Sequence, residues 1–511
     1  MNSSKIYEYL CQWLAETMQA EYTTWEIKGK KGNNLKGYGM IHSRRFPASE
    51  NVLMSLVRNA VCYGKKRLFL FSEDGQTMYV FTGETFTPIE GRPNMFLKEL
   101  IRRTFINLRI GIVYQTDTAS IIARECIETL TSSDEYLYTP SRRYIAFTNG
   151  ILDLEDKRLK AFNIRYQPYI MLDIPYGTIH GITSEYDKKY GLKREDNPAR
   201  RWEWKIKEII PNDDMRDAFQ MFCGSLLLDK EVCKFEYCCY LIGTGANGKS
   251  VLASAIAGVF GEQYFSRFTP KQLFKDSDAR VNIAALQGKI ANLVGDLDKA
   301  DFAGGDFKRF ASGEKFQGRR NYKDPIQVVA PPLLCCTNAM PESSDDSWGH
   351  HRRQLPIYTT THQFTEEDKD PYLTQKLTSD ESRSYIFAWI MEGYQKIISN
   401  GGNIKLGEDV LAAQRELRSN SNSARRWFRD YGYEAVEKPR DRDERWRSVK
   451  DLYEEYVAYS NHCGYASPVK RHELTNMLKS NGVISCRKSD GYYYLLDKHI
   501  DLAIPRQGHE K

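Results

Sequence analysis

Short apolar runs punctuate the middle of this chain, and each borders on residues with chemistry to offer. "YCCYLI" (Tyr237 to Ile242) is apolar throughout, as a strand buried on both faces of a parallel sheet requires. "KIANLVGDLD" predicts a second strand ending at Asp296, and "APPLLCCTNAMP" a third ending at Asn338. "HHRRQLPIY" places two adjacent arginines, Arg352 and Arg353, directly ahead of a fourth. Behind the first strand, "SVLASAIAGVF" (Ser250 to Phe260) carries apolar residues at helical spacing and meets a helix stop at Gly261.

The flanks read differently. "RLFLF" (Arg67 to Phe71) and "TMYVFTG" (Thr77 to Gly83) surround "SEDGQ", whose Asp-Gly suggests a hairpin. "NMFLKELIRRTF" (Asn94 to Phe105) is an amphipathic helix, and "FTNGILDLEDKRLKAFN" (Phe147 to Asn163) two short strands around a polar turn. The charged stretch Ser184 to Arg201 reads as a linker or exposed surface, after which "WEWKIKEII" and "FQMFCGSLLLDK" turn helical. "SRSYIFAWIMEGYQKII" (Ser382 to Ile398) is a helix closed by "SNGG". The charge run Glu437 to Arg447 suits a solvated surface. Beyond it, "SVKDLYEEYVAYSNHCG" and "KRHELTNMLKSNG" predict two helices, and "VISCRKSDGYYYLL" a hairpin turning at Asp490-Gly491. Helix, helix, hairpin is the order of a winged-helix module.

Composition adds bounds. The 511 residues can form several domains, and 41% hydrophobic with 27% charged residues is the balance of a folded, soluble chain. A net charge of +6 permits nucleic-acid binding without demanding it. With no run of about 18 apolar residues and no secretion signal, neither a membrane span nor export is expected, which favours the cytoplasm. The eleven cysteines include no C-x-x-C pair, and reduced, mostly buried thiols are the simplest expectation.

The strongest local signal is "LIGTGANGKS". From Gly243 to Ser250 it reads G-x-x-x-x-G-K-S, a phosphate-binding loop between a strand and a helix. Gly243, Thr244, Gly245, Ala246, Asn247, Gly248, Lys249, Ser250 and Val251 are the candidate ATP-binding residues, because bare backbone amides at a helix N-terminus can wrap phosphates. Lys249 can reach the β- and γ-phosphates, and Ser250 can ligate Mg²⁺. The chemistry also needs an acid at a neighbouring strand end, for which Asp296 is first choice, also as a metal-shell ligand, and Asp298 second. The Asn338 amide can hydrogen-bond the attacking water or γ-phosphate, or merely shape the turn before Pro341. Arg352 and Arg353 are either surface residues or include an arginine finger for an adjacent subunit.

The ordered set "GTGANGKS", "ANLVGDLD", "FKRFASGEKFQGRRNYKD", "LLCCTNAMP" and "HHRRQLPIY", within about 115 residues, resembles the superfamily 3 helicases. It is similar above all to the phage and plasmid branch that shares a module with the poxvirus primase-helicase. "TMYVFTGETFTPI", "FTNGILDLED" and "LYEEYVAYSNHCGY…LTNMLKSNG" extend the resemblance over most of the chain, least before about residue 60. The resemblance implies an α/β P-loop ATPase core of AAA+-like type, an α+β N-terminal region and a C-terminal winged-helix-like domain. The corresponding divisions are 1–135 (accessory region), 136–200 (flanking segment), 201–365 (ATPase core with its preceding helices), 366–403 (helical extension) and 404–511 (winged-helix-like domain).

By that similarity Lys249 and Ser250 form the Walker A pair, Asp296 takes the Walker B position, and Asn338 is the motif C sensor. One of Arg352 and Arg353 is the trans-acting finger. "GEKFQGRRNYKDP" resembles a hairpin that grips single-stranded DNA in a ring channel, with Arg319, Arg320 and Lys323 on phosphates and Phe316 or Tyr322 packed against the chain or a base. Lys308 is expected to face the nucleotide. The implied protein is a ring, a hexamer by family habit. It hydrolyses ATP with Mg²⁺ and moves 3′ to 5′ on single-stranded or forked DNA, alongside a separate primase or polymerase.

Other readings keep the ATPase. An origin-binding initiator would use it as a switch without unwinding, with the winged helix (recognition helix Lys470 to Ser480) on duplex DNA or on a protein. A primase-helicase would need a strand with D-x-D or D-x-E and a later S/T-x-H, which Asp153, Glu155 and His180 fit superficially. A small-molecule kinase would need a substrate lid and no basic hairpin.

Overall fold

The computed structural model describes residues 6–18, 50–63, 68–72, 77–82, 86–89, 92–108, 117–132, 137–163, 165–190, 197–230, 233–295, 304–320, 325–338, 347–365, 370–420, 423–440, 443–463 and 468–500. The chain divides into two compact units, Met1–Tyr176 and Gly177–Lys511.

In the first unit, helical residues 6–18 and the helices Glu50–Cys62, Pro93–Asn107 and Asp117–Thr131 bury one apolar stripe each. Their stripes enclose the three-stranded antiparallel sheet Phe69–Phe71, Met78–Phe81 and Phe86–Ile89. The hairpin expected around Asp74-Gly75 forms with Phe69 opposite Val80, although 73–76 lie outside the described residues. A four-stranded sheet follows, in the order Arg158–Lys160, Gly150–Asp153, Ser141–Phe147, Pro168–Met171. Its turn is built around Asp153, whose buried carboxylate accepts both Arg143 Nε and Nη2 at 2.8 Å and Lys160 Nζ at 2.6 Å. Burial alone would raise the Asp153 pKa, but these cations and two backbone amides hold it well below the usual range. The "LDLED" acid is thus committed to an internal ion-pair network.

The second unit is organised on a five-stranded parallel sheet: β1 (Cys238–Ile242), β2 (Phe265–Ser266), β3 (Ala291–Val294), β4 (Leu333–Thr337) and β5 (Gln354–Tyr358). Its spatial order is β5-β1-β4-β3-β2. β1, β3 and β4 are buried at every position, which explains why their sequences do not alternate. The helix Lys249–Phe260 follows β1 and ends at Gly261, whose φ of +98° favours glycine. The charged stretch after Ser184 is not simply a linker, since 184–190 belong to the helix Ile179–Tyr190. The later charge run is also more than a solvated surface: Arg445 is held by Asp443 at 2.7 Å and Asp497 at 3.1 Å.

Two helices, Asp213–Ser225 and Asp380–Ser399, approach each other through glycine. A Cβ on Gly393 would lie 2.1 Å from the Gln220 carbonyl oxygen, and one on Gly224 only 2.2 Å from the Tyr394 amide nitrogen. Backbone cannot yield as a side-chain tip can. Gly393→Ala is therefore expected to cost about 3 kcal/mol, read from the denaturation midpoint, and a loss below about 1 kcal/mol would contradict this packing.

Glu408–Asn420 packs on β5, where Gln414 Nε2 donates to the Gln354 carbonyl at 2.6 Å. The C-terminal helices Ser423–Asp430, Val449–His462 and Arg471–Ser480 surround Trp427 and Tyr456, together with the hairpin Ser485–Lys488/Gly491–Lys498. No described helix is long and apolar enough to cross a membrane.

Candidate functional site

The glycine-rich loop leaves β1 at Ile242 and enters the helix at Lys249. Its glycines have separate reasons. A Cβ on Gly243 would strike Asn247 Nδ2 at 2.0 Å and Thr359 Oγ1 at 2.2 Å. Gly248 combines a φ of +84° with the Ile209 side chain 2.5 Å from where its Cβ would sit. Gly245 and Ala246 also have positive φ, so the loop curls through several left-handed residues. Thr244, Gly245, Ala246 and Ser250 are exposed, whereas Asn247 and Lys249 are buried at 1% and 6% exposure. The helix has no side-chain cap and no acidic residue in its first turn, so the amides of Lys249, Ser250 and Val251 leave positive potential facing the loop.

Lys249 Nζ donates to the Gly243 carbonyl at 2.6 Å, to Asn247 Oδ1 at 2.9 Å and to Asn338 Oδ1 at 3.3 Å. Asn338 reaches the loop because β4 is the direct neighbour of β1, with Thr337 opposite Ile242. Its Oδ1 also accepts the Gly245 amide at 3.4 Å. Residues 89 apart in sequence thus converge at one end of the sheet. From the other side, the segment after β5 fastens the loop: Phe364 N donates to the Ala246 carbonyl at 2.8 Å, and Asn247 Nδ2 to the Thr360 carbonyl at 3.3 Å. Nothing in the sequence motif pointed to Ile209, Thr360 or Phe364.

β3 lies beside β4 and runs to Val294. Asp296 and Asp298 fall outside the described residues. The exposed Ser250 at the helix start is placed where a hydroxyl can serve a phosphate-bound cation. Among the described residues, no group of three or more His, Cys, Asp or Glu is arranged to hold a metal by itself.

Arg352 and Arg353 lie elsewhere. β5 starts with Gln354 opposite Cys238, so the arginines sit at the opposite end of the sheet from Gly243. The five-residue β1 separates the two ends by about 16 Å. Arg353 is 12% exposed and donates from all three guanidinium nitrogens: Nη1 to the Gly349 carbonyl at 2.5 Å, Nε to Ser312 Oγ at 3.1 Å and Nη2 to Glu236 Oε1 at 3.1 Å. Arg352 is 40% exposed and meets Glu236 Oε2 at 2.5 Å. Burial works to raise the Glu236 pKa, but the hydrogen bonds from Arg352 and Ser312 and the arginine charges outweigh it and lower it overall. Lys308 does not face the loop of its own chain, since its Cε would be 3.8 Å from a Cβ on Gly349, beside Arg353. Glu236 and Ser312 had no sequence signal, because the contact joins positions 76 apart.

The basic segment includes a hairpin, Lys315–Gly318 paired antiparallel with Ile326–Val329. Phe316 is not available to a base: it is 7% exposed, packed on Phe274 and Phe310, with the Arg309 guanidinium 4.4 Å over its ring. Arg319 follows the first arm and is exposed, while the Arg320 guanidinium donates to the Gln287 side-chain oxygen. Tyr322 and Lys323 lie outside the described residues.

Among known proteins, a family described as a family of unknown function (DUF5906) matches residues 241–353, the span from the loop strand to the arginine pair. Solved structures of the NrS-1 C-terminal region in its apo form are similar at 11% to 12% identity and a TM-score of 0.43, covering 84% of this chain and 96% of theirs.

Proposed function

We propose that this protein is an ATP-dependent, ring-forming DNA helicase of superfamily 3 type, serving replication of a phage, prophage or plasmid in a host cytoplasm. The observation that carries the reading is the meeting of Lys249 and Asn338 at the mouth of the glycine-rich loop, across adjacent parallel strands. The strand order β5-β1-β4-β3-β2 supports an AAA+-like P-loop core, with the loop after β1, the asparagine after β4 and the arginines before β5. In this reading the loop amides and Lys249 hold the β- and γ-phosphates, Asn338 orients the attacking water, and Asp296 or Asp298 polarises it. Ser250, with Asp296, would hold Mg²⁺, which neutralises phosphate charge when bound.

Arg352 lies too far from its own loop to complete that site, so it serves a neighbouring subunit, and hydrolysis depends on assembly. The C-terminal helices and hairpin act as a winged-helix-like module. Arg319, Arg320 and Lys323 line the DNA channel, on single strands or forks, with primase or polymerase chemistry supplied by a separate protein. Single-stranded DNA is expected to stimulate ATP hydrolysis, and a double Arg319→Ala/Arg320→Ala variant to lose about 10-fold in DNA affinity at moderate salt. Equal DNA affinity in variant and wild type would remove the channel assignment.

A further inference from the structure

The arginine pair and the hairpin are joined by one small polar cluster. Ser312 lies in the turn between the helix Gly304–Ala311 and the first hairpin strand, which begins at Lys315. Its hydroxyl accepts Arg353 Nε at 3.1 Å and donates to Glu236 Oε1 at 2.9 Å. The same carboxylate binds Arg353 Nη2 through Oε1 and Arg352 Nη2 through Oε2. The turn has little freedom beyond this. Gly313 has a φ of +65°, and a Cβ there would lie 2.8 Å from the Lys230 Cδ. The Glu314 carbonyl accepts the Ala330 amide at 3.2 Å, closing the base of the hairpin. On the other side, the Arg353 carbonyl accepts the Cys238 amide at 2.8 Å, tying the cluster to the first residue of β1.

We propose that Glu236 and Ser312 are positioning residues that couple the exposed arginine to the base of the DNA hairpin. The inference rests on the ring-helicase reading above. Glu236 is shared between two guanidinium groups, of which Arg353 is locked and Arg352 is at the surface. A neighbour's nucleotide phosphates compete with Glu236 for Arg352 while they carry the charge of a triphosphate. When Arg352 leaves, the carboxylate turns wholly to Arg353 and Ser312, and when the phosphate charge departs, Arg352 returns. Each exchange changes the hydrogen bonds at Ser312, so the state of one subunit's nucleotide reaches the hairpin of the next. The cluster thereby supplies a two-position element that both sites bias.

Ser312→Ala removes the hydroxyl with little change of volume and touches neither nucleotide nor DNA contacts. In the full-length protein, basal ATP hydrolysis and assembly are expected to stay within about twofold of wild type, while stimulation by single-stranded DNA and the rate of strand displacement fall about 10-fold. Ser312→Thr, which keeps the hydroxyl, restores both. Wild-type stimulation and displacement in Ser312→Ala would overturn the inference, as would a proportional fall of basal hydrolysis, assembly and stimulation together, because that marks a purely structural role. A wild-type protein that hydrolyses ATP without any response to DNA removes the helicase reading, and this inference with it.

Discussion

Lys249→Ala is expected to lower ATP hydrolysis at least about 100-fold while leaving the protein folded. The lysine is buried, and its ammonium bridges the loop carbonyl of Gly243 and the amides of Asn247 and Asn338. In the proposed reading, that charge stands where a γ-phosphate gains negative charge in the transition state, and the loop has no other cationic side chain. Deletion also leaves three oxygens without this donor, at a cost of about 1–3 kcal/mol. For a unit with a core of this extent that is tolerable, so a modest fall in melting temperature should accompany the large fall in rate. Phosphate release checks the rate, and thermal unfolding with and without ATP separates lost chemistry from lost fold. Retention of more than about one-tenth of wild-type hydrolysis would contradict the assigned role.

Arg352→Ala is expected to lower hydrolysis by the assembled protein by about 10³-fold, with ATP binding preserved. The geometry predicts which residues must share a chain. Lys249 and Arg352 lie at opposite ends of the parallel sheet, so under the ring proposal a working site would take its lysine from one subunit and its arginine from another. Mixing inactive Lys249→Ala and Arg352→Ala proteins should therefore recover activity, up to about a quarter of wild type for random assembly into rings. Mixtures that stay as inactive as their components would show that Arg352 has no role in trans. Arg353→Ala should behave differently. Its guanidinium is bound by the Gly349 carbonyl, Ser312 and Glu236, so its loss lowers stability as well as rate.

Much of this arrangement was legible in the sequence, and the reasons are local. The strands Cys238–Ile242, Ala291–Val294 and Leu333–Thr337 are buried on both faces, so each announces itself as an unbroken apolar run. Gly243 and Gly248 are spaced by the loop they must form, Lys249 opens the helix behind that loop, and Asn338 directly follows its strand. What was not legible depends on contacts between distant positions. Arg352 and Arg353 look alike in "HHRRQLPIY" and share Glu236, and only the bonds to Ser312 and Gly349 mark Arg353 as the locked one. Phe316 sits between the polar neighbours Lys315 and Gln317, yet alternation along its strand turns it inward onto Phe274 and Phe310. The helices at 6–18 and Glu50–Cys62 are not among the elements read from the sequence above, although each buries a single apolar stripe in the shared core of the first unit. Asp296 and Asp298 remain as the sequence placed them, two candidates just beyond β3.

Coupling of ATP hydrolysis to movement along DNA is what separates a helicase from an ATPase switch. Strand displacement on forks with a 3′ or a 5′ tail, with ATP and Mg²⁺ and with Lys249→Ala alongside, tests that coupling directly. The predicted result is displacement of the 3′-tailed fork by wild type alone. ATP hydrolysis by an assembled protein without displacement of either fork would contradict the helicase account and leave an initiator that uses its ATPase as a switch.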